Sequence, residues 1–222
     1  MATVLKLAVC LFPDVTTLDY QGPMELIGFL TKEAIAQKMT PTPSYELETT
    51  YLGYDKDPIK ANSAPRVLPD LTYDDAINGE QFDLILVPGG SGTRPDRVKA
   101  PLLDFLKKQV PGAKYVLTVC TGSTVLAQAG LLDGKRATTN KSVFKIVTEF
   151  SGERPVIWVP KARWVVDGKI WTASGVTAGI DMAAAFLEHL VGNEVATAIR
   201  GVVEASIRKD DEDEWAAYYG LV

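Results

Sequence analysis

The segment TVCTGSTVLAQAG, residues 118–130, places a cysteine where a β-branched, apolar run changes into small, helix-starting residues. A helix dipole and the free N–H groups of the first turn favour a thiolate, and so lower the pKa of a cysteine at that point. The pattern predicts that Cys120 is a reactive thiol at a nucleophile elbow, with the Thr121 N–H as an anion-stabilising donor. The local pattern leaves open a second interpretation, a small buried hydrophobe, which is how we interpret Cys10.

Two other segments carry groups that could join this cysteine. LVPGG ends an apolar run with Gly89 and Gly90, and we expect the Gly90 N–H to act as a second donor. LDYQGP places Asp19 in the loop after the first predicted strand. Because the carboxyl ends of parallel strands meet at one edge of a sheet, Asp19 is predicted to lie near Cys120. The useful state would have Asp19 protonated and donating to the thiolate, the two groups titrating as a coupled pair.

The elements that must position these groups follow an α/β pattern. Apolar runs of strand length alternate with segments of helical period, which predicts a mostly parallel sheet covered by helices on both faces. The predicted strands are residues 4–12, 45–53, 82–90 and 114–120, and the predicted helices are 17–34, 100–110, 121–132, 177–192 and 193–207. Pro23 is expected at a helix start and Asn193 at a helix cap. Alternation around an Asp-Gly pair predicts an added β-hairpin within residues 155–174.

Composition limits the partners that this chain could have. The chain has 222 residues, a formal net charge of −5 and no basic block, so nucleic acid is not expected as a partner. No run approaches the roughly 18 apolar residues of a membrane span, and we expect a single soluble, cytoplasmic domain over residues 1–222. Two cysteines are too few for a disulfide framework or a structural zinc site, so each is predicted to be a free thiol.

Four motifs together carry a resemblance to a known family. They are FPDVTTLDYQGPMEL, LILVPGGSG, VLTVCTGSTVLAQAGLLDGKRATT and GVTAGIDMAAAFLE, and they run in matching order from about residue 5 to residue 205. They resemble the ThiJ/PfpI superfamily, and within it the isocyanide hydratase branch. The resemblance implies a flavodoxin-like three-layer α/β sandwich, a homodimer, no cofactor and no metal. It also implies that Cys120 is the nucleophile, that Asp19 hydrogen-bonds its sulfur, and that Thr121 matches the residue after the nucleophile in the hydratase.

The sequence departs from the family pattern at two positions. Asn140 stands in ATTNKSVF where many members have a histidine, and Ser174 stands in ASGVTAGID where the hydratase has a glycine. We expect Asn140, Ser174, Gly175 and Val176 to line the substrate pocket with the double glycine. The only histidine, His189, is predicted to be a surface residue, which makes a Cys–His dyad improbable.

One thiolate and one carboxylic acid suit the hydration of an isocyanide to an N-substituted formamide. Two alternatives stay open: glyoxalase or deglycase chemistry on 2-oxoaldehydes, and a cysteine redox sensor that is not an enzyme. A regulator is not expected, because no helix-turn-helix follows the domain. The acidic run at residues 210–214 is interpreted as a solvated terminus, and the aromatic tail after it could dock on the body or on a partner subunit.

Overall fold

The computed structural model describes residues 2–37, 41–63, 65–151 and 154–222. The strands are β1 Thr3–Cys10, β2 Tyr45–Gly53, β3 Ile59–Lys60, β4 Arg66–Val67, β5 Leu71–Thr72, β6 Leu84–Val87, β7 Tyr115–Val119, β8 Arg136–Ala137, β9 Ile157–Trp158, β10 Trp164–Asp167 and β11 Ile170–Ala173. The α-helices are α1 Thr17–Ile27, α2 Lys32–Ala36, α3 Tyr73–Ile77, α4 Ala100–Gln109, α5 Gly122–Gln128, α6 Phe144–Phe150, α7 Val176–Val191, α8 Asn193–Val203 and α9 Trp215–Tyr218. Short 3-10 turns cover Gly28–Leu30, Ser91–Thr93 and Lys141–Val143.

A seven-stranded sheet in the order β10-β11-β7-β6-β1-β2-β5 forms the middle layer. Its strands pair in parallel except for β10 and β11, which form the predicted antiparallel hairpin. Helices α1, α7 and α8 pack together, and α3, α4 and α5 form a second packed group. This is the flavodoxin-like α/β fold that the sequence predicts.

The sheet is held by apolar burial on both faces. All four residues of β6 are buried, as are four of the five residues of β7. Each fully buried aliphatic side chain of this kind contributes on the order of 1.5–3 kcal/mol to stability. The order in which the chain adds strands to the sheet reverses between the parallel strands β1 and β6, and at such a point an open sheet forms a crevice at its carboxyl edge. The groups that follow β1, β6 and β7 therefore meet at one place.

Three local predictions were wrong. Pro23 lies inside α1 instead of at its start, and Asp19 lies in the first turn of that helix instead of in a loop. Asn193 is the first residue of α8, and Gly192, at φ 82°, occupies the cap position. The Asn193 side chain bonds to Thr197, so it does not cap the backbone. No helix within the described ranges is long and apolar enough to cross a bilayer.

Candidate active site

Cys120 sits between β7 and α5 with a left-handed backbone, at φ 59°. A side chain at positive φ is strained and persists only where the surroundings enforce it. Here the Cys120 N–H donates to the carbonyls of Ala173, at 3.1 Å, and Ser174, at 2.7 Å. Its own carbonyl accepts hydrogen bonds from the hydroxyls of Ser123 and Thr139. These bonds fix the strained elbow, and both cysteines are free thiols as predicted.

Two glycines allow the elbow to pack closely against the end of β6. A Cβ on Gly122 would lie 2.1 Å from the Val87 carbonyl oxygen, so only glycine fits there. A Cβ on Gly89 would lie 2.8 Å from both an Asp19 carboxyl oxygen and the Cys120 Cβ. Gly89 therefore lies beneath the two reactive groups and lets them approach each other.

Asp19 is fully buried, and its two carboxyl oxygens differ in their surroundings. Oδ2 accepts the Gly89 N–H at 3.0 Å. Oδ1 is buried without a regular hydrogen-bond partner among the described residues, and the Cys120 thiol lies beside the carboxyl group. Burial raises the pKa of Asp19 to about 7, while the contacts with Gly89 and Cys120 oppose that rise. The structure thus brings Asp19 and Cys120 together, with a carboxyl group that can hold a proton near neutral pH.

The pKa of Cys120 does not follow the expectation from the helix dipole. Burial, and secondarily the charge of Asp19, raise it to about 12. Hydrogen bonds from Asn140 and Thr121 lower the pKa but do not outweigh desolvation, because the thiol is 7% exposed and α5 is a single short helix of seven residues. The predicted lowering of the Cys120 pKa was therefore wrong, because burial outweighs the helix dipole. The raised pKa favours the thiol form of Cys120, and Asp19 beside it is a group that can exchange a proton with it.

Asn140 is a second polar side chain outside the elbow that contacts the sulfur. Its Nδ2 donates to Cys120 Sγ at 3.2 Å. Its Oδ1 accepts the Ser142 N–H at 2.9 Å and the Ser142 hydroxyl at 2.6 Å, which orients the amide with nitrogen toward sulfur. An amide N–H stabilises negative charge on sulfur but, unlike a histidine, cannot take up its proton.

Thr121 and Gly90 interact with each other. The Gly90 N–H donates to Thr121 Oγ1 at 3.0 Å, so it is not free to act as the second donor toward the sulfur. The prediction that Gly90 donates to the sulfur was therefore wrong, because its N–H is already bonded to the threonine hydroxyl. The Thr121 N–H does bond to Cys120 Sγ and lowers its pKa, in the position predicted for an anion-stabilising donor.

A cavity of about 580 Å³ opens onto Cys120, Thr121 and Asn140. Its polar lining includes Thr16, Asn62, Thr93, Arg94 and Asp96, and its apolar lining includes Val143, Ile146, Val147 and Phe150. The apolar set belongs to α6 and the turn before it, which the sequence analysis missed. Phe144 and Val147 of α6 are buried and lie three residues apart. This weak helical periodicity was the only feature of the segment that could have predicted the helix.

Four residues expected in this pocket lie elsewhere. Ser174, Gly175 and Val176 line a neighbouring cavity of about 290 Å³, because α7 begins behind the elbow. Gly89 lies below the reactive groups and does not line the larger cavity. Asn140 lines both cavities.

His189 and Trp171 lie away from the cavity. His189 is exposed near the far end of α7, where its Nε2 lies 3.1 Å from the Tyr115 hydroxyl, as predicted for a surface residue. Trp171 is buried, and its ring packs edge-on against that of Phe186. Within the part of the chain that the structure describes, no cluster of three metal-ligating side chains occurs.

The fold and the site define a flavodoxin-like α/β protein with a cysteine at a strand-to-helix elbow beside a buried carboxyl group. The chain belongs to the DJ-1/PfpI family, whose model matches residues 6–189. Isonitrile hydratase of Pseudomonas putida is 34% identical over 196 residues, covering 88% of this chain and 76% of that protein. The glutathione-independent glyoxalase DJR-1.2 of Caenorhabditis elegans is 28% identical over 149 residues, covering 67% and 76%.

Solved structures share the fold across almost the whole chain. A THiJ/PfpI family protein from Pseudomonas syringae has a TM-score of 0.77 at 24% identity, covering 100% of this chain and 87% of that one. Drosophila melanogaster DJ-1beta has a TM-score of 0.73 at 20% identity, covering 93% and 100%. At these identities the likeness concerns the fold alone.

Proposed function

We propose that the protein adds water to an isocyanide to give an N-substituted formamide, with Cys120 as nucleophile and Asp19 as acid and base. The observation that carries the proposal is the buried Asp19 carboxyl group beside the thiol, with a pKa near 7 and Asn140 in place of a histidine. The similarity to an isonitrile hydratase supports it, since an isonitrile is an isocyanide.

The first step joins the sulfur to the terminal carbon of R–N≡C. The thiol proton passes to Asp19, the sulfur attacks the electrophilic carbon, and Asp19 returns the proton to that carbon. The product is a thioimidate, Cys–S–CH=N–R, with Asp19 left ionised. Donation from Asn140 and from the Thr121 N–H stabilises the negative sulfur during the attack.

The second step hydrolyses the thioimidate. Ionised Asp19 takes a proton from water while the oxygen adds to the carbon, and that proton then passes to the nitrogen. Asp19 next removes the hydroxyl proton as the carbon–sulfur bond breaks, which releases R–NH–CHO and restores the proton shared by the pair. The net reaction converts R–NC and H2O to R–NH–CHO, and no step requires a histidine.

The cavity provides room for the R group. Its volume of about 580 Å³ lies in the range of small-molecule sites, and α6 supplies an apolar surface beside the sulfur. Ile146 is 47% exposed and Phe150 is 51% exposed, so both present unpartnered apolar surface. We propose that an aryl or alkyl R group packs against this surface.

A second candidate is glyoxalase chemistry on 2-oxoaldehydes, which the similarity to the glyoxalase of Caenorhabditis elegans favours. That chemistry moves a proton between adjacent carbons and benefits from a base that titrates near neutral pH. Asp19, with a pKa of about 7, is the group beside Cys120 that meets this requirement.

Parallel turnover assays separate the two candidates. Purified protein is incubated with a simple aryl isocyanide or with methylglyoxal, and products are followed by ultraviolet absorbance and mass spectrometry. We expect formamide from the wild type and none from Cys120→Ala. Cys10→Ala, which removes the other buried thiol, is the matched control and should keep activity. Turnover of methylglyoxal alone would establish the glyoxalase, and formamide production by Cys120→Ala would contradict both mechanisms.

A further inference from the structure

A buried ion pair ties the C-terminal segment to the loop that carries Asn140. Lys141 Nζ lies 3.5 Å from Asp213 Oδ2, and the two side chains are 2% and 1% exposed. Lys141 also donates to Thr138 Oγ1 at 2.6 Å and to the Ala162 carbonyl at 2.9 Å. The expectation that residues 210–214 form a solvated terminus is thus wrong at Asp213.

Hydrogen bonds from backbone N–H groups hold the Asp213 carboxylate in place. Its Oδ2 accepts the Ala162 N–H at 3.2 Å, and its Oδ1 accepts the N–H groups of Trp215 and Ala216 at 2.9 and 3.3 Å. These bonds hold the start of α9, and Ala216 is fully buried. The start of α9 therefore packs on the body of its own chain through Asp213 and Ala216, while the aromatic side chains of the tail stay largely exposed.

Lys141 directly follows the residue that touches the nucleophile. Asn140 donates to Cys120 Sγ and caps the 3-10 turn Lys141–Val143 through its Oδ1. The position of Asn140 therefore depends on where that turn sits, and the buried lysine sets this position. Burial lowers the pKa of Lys141 to about 8, and Asp213 opposes that shift. Lys141 therefore depends on the charge of Asp213 to remain protonated.

A buried ion pair is a costly way to stabilise a fold, because desolvation offsets most of its attraction. It does fix geometry, since each charged group accepts few other arrangements. The pair also joins residue 213 to the site from outside the family match, which ends at residue 189.

We propose that Asp213 is a positioning residue: through Lys141 it holds Asn140 against the Cys120 sulfur, so the C-terminal segment is part of the active-site structure. This inference concerns the thiol itself and is independent of which reaction the protein catalyses.

The test measures how fast Cys120 is alkylated by iodoacetamide between pH 6 and 9, with the modified peptide identified by mass spectrometry. Asp213→Asn keeps one oxygen, which can still accept the N–H groups of Trp215 and Ala216, but it removes the charge and the oxygen that faces Lys141 and the Ala162 N–H. Loss of the Asn140 donor should raise the pKa of the thiol by about one unit, which slows alkylation about tenfold at a given pH. Asn140→Ala should show the same slowing, and the double variant Asn140→Ala/Asp213→Asn should be no slower than either.

The matched control is Glu214→Gln, which breaks the exposed pair with Arg208 in the same segment and should leave alkylation unchanged. Asp213→Asn alone leaves a buried lysine unpaired and could unfold, so Lys141→Met/Asp213→Asn removes both charges. Thermal unfolding confirms that the assayed variants are folded. Slowed alkylation in the folded two-charge variant supports the proposal. Alkylation of that variant at or above the wild-type rate, or slowing that adds to that of Asn140→Ala, would overturn it.

Discussion

Asp19 is the residue whose environment the chemistry depends on most. Its pKa is raised by burial to about 7, whereas in the unfolded chain it is about 3.9. The folded state therefore binds this proton more tightly. The stabilisation that results is fully present below about pH 4 and is lost as the pH rises through about 7.

Asp19→Asn removes this titration while keeping an oxygen for the Gly89 N–H. We predict that the free energy of unfolding of the wild type, relative to the variant, falls by about 3 kcal/mol between pH 4 and pH 7. Urea unfolding of both proteins across that range measures the difference. A difference that stays constant, or rises with pH, would show that Asp19 is ionised in the folded protein.

Gly89 has a role that follows from space alone. Gly89→Ala places a Cβ within 3 Å of Asp19, Cys120 and the Thr121 nitrogen, so the elbow must shift. We predict a loss of about 1–3 kcal/mol in the free energy of unfolding and a large loss of activity. Gly201→Ala is the matched control, because its Cβ meets nothing within 4 Å and alanine favours a helix by about 1 kcal/mol. Unfolding curves in which both variants behave alike would refute the packing argument.

At the scale of elements, α6 forms the apolar wall of the cavity beside Cys120, and the sequence did not predict this helix. Its sequence FKIVTEF is rich in β-branched residues, which favour strands, and packing of Phe144 and Val147 overrides that preference. The strands and the hairpin were predicted because their hydrophobic periods are strong. The pairing of Lys141 with Asp213 could not be predicted, because local sequence patterns do not connect two charged residues that are 72 positions apart.

Phe150→Ala tests whether α6 contacts the R group. Phe150 is 51% exposed, so its removal should leave stability unchanged while a wall of the cavity is lost. We predict that KM for an aryl isocyanide rises about tenfold, and that KM for a small alkyl isocyanide changes far less. Tyr218→Ala, at an exposed aromatic outside the cavity, serves as the control. Equal effects on both substrates would place the R group elsewhere.

At the scale of the whole molecule, the sequence predicted the fold and the joining of Asp19 to Cys120, because parallel strands bring their carboxyl ends together. The sequence did not predict that the pKa of the Cys120 thiol is raised. The helix dipole can be inferred from sequence, but desolvation depends on how the packed chain covers the sulfur, which only the structure shows.

The resemblance also implies a homodimer, which stays a prediction. Exposed apolar side chains such as Leu18, at 52%, and Ile157, at 56%, are surface that a second copy could cover. Sedimentation at micromolar concentration should give twice the chain mass of 24.1 kDa. Sedimentation at the single-chain mass would contradict the prediction.

The most direct measurement of the central claim is a single-turnover reaction with an aryl isocyanide, quenched in acid and analysed by intact mass and peptide mapping. The account predicts a transient adduct on the Cys120 peptide whose added mass equals that of the whole isocyanide, decaying at the rate at which formamide appears. Asp19→Asn should slow both steps. Formamide that appears without any adduct on Cys120, and equally fast in Cys120→Ala, would contradict the account.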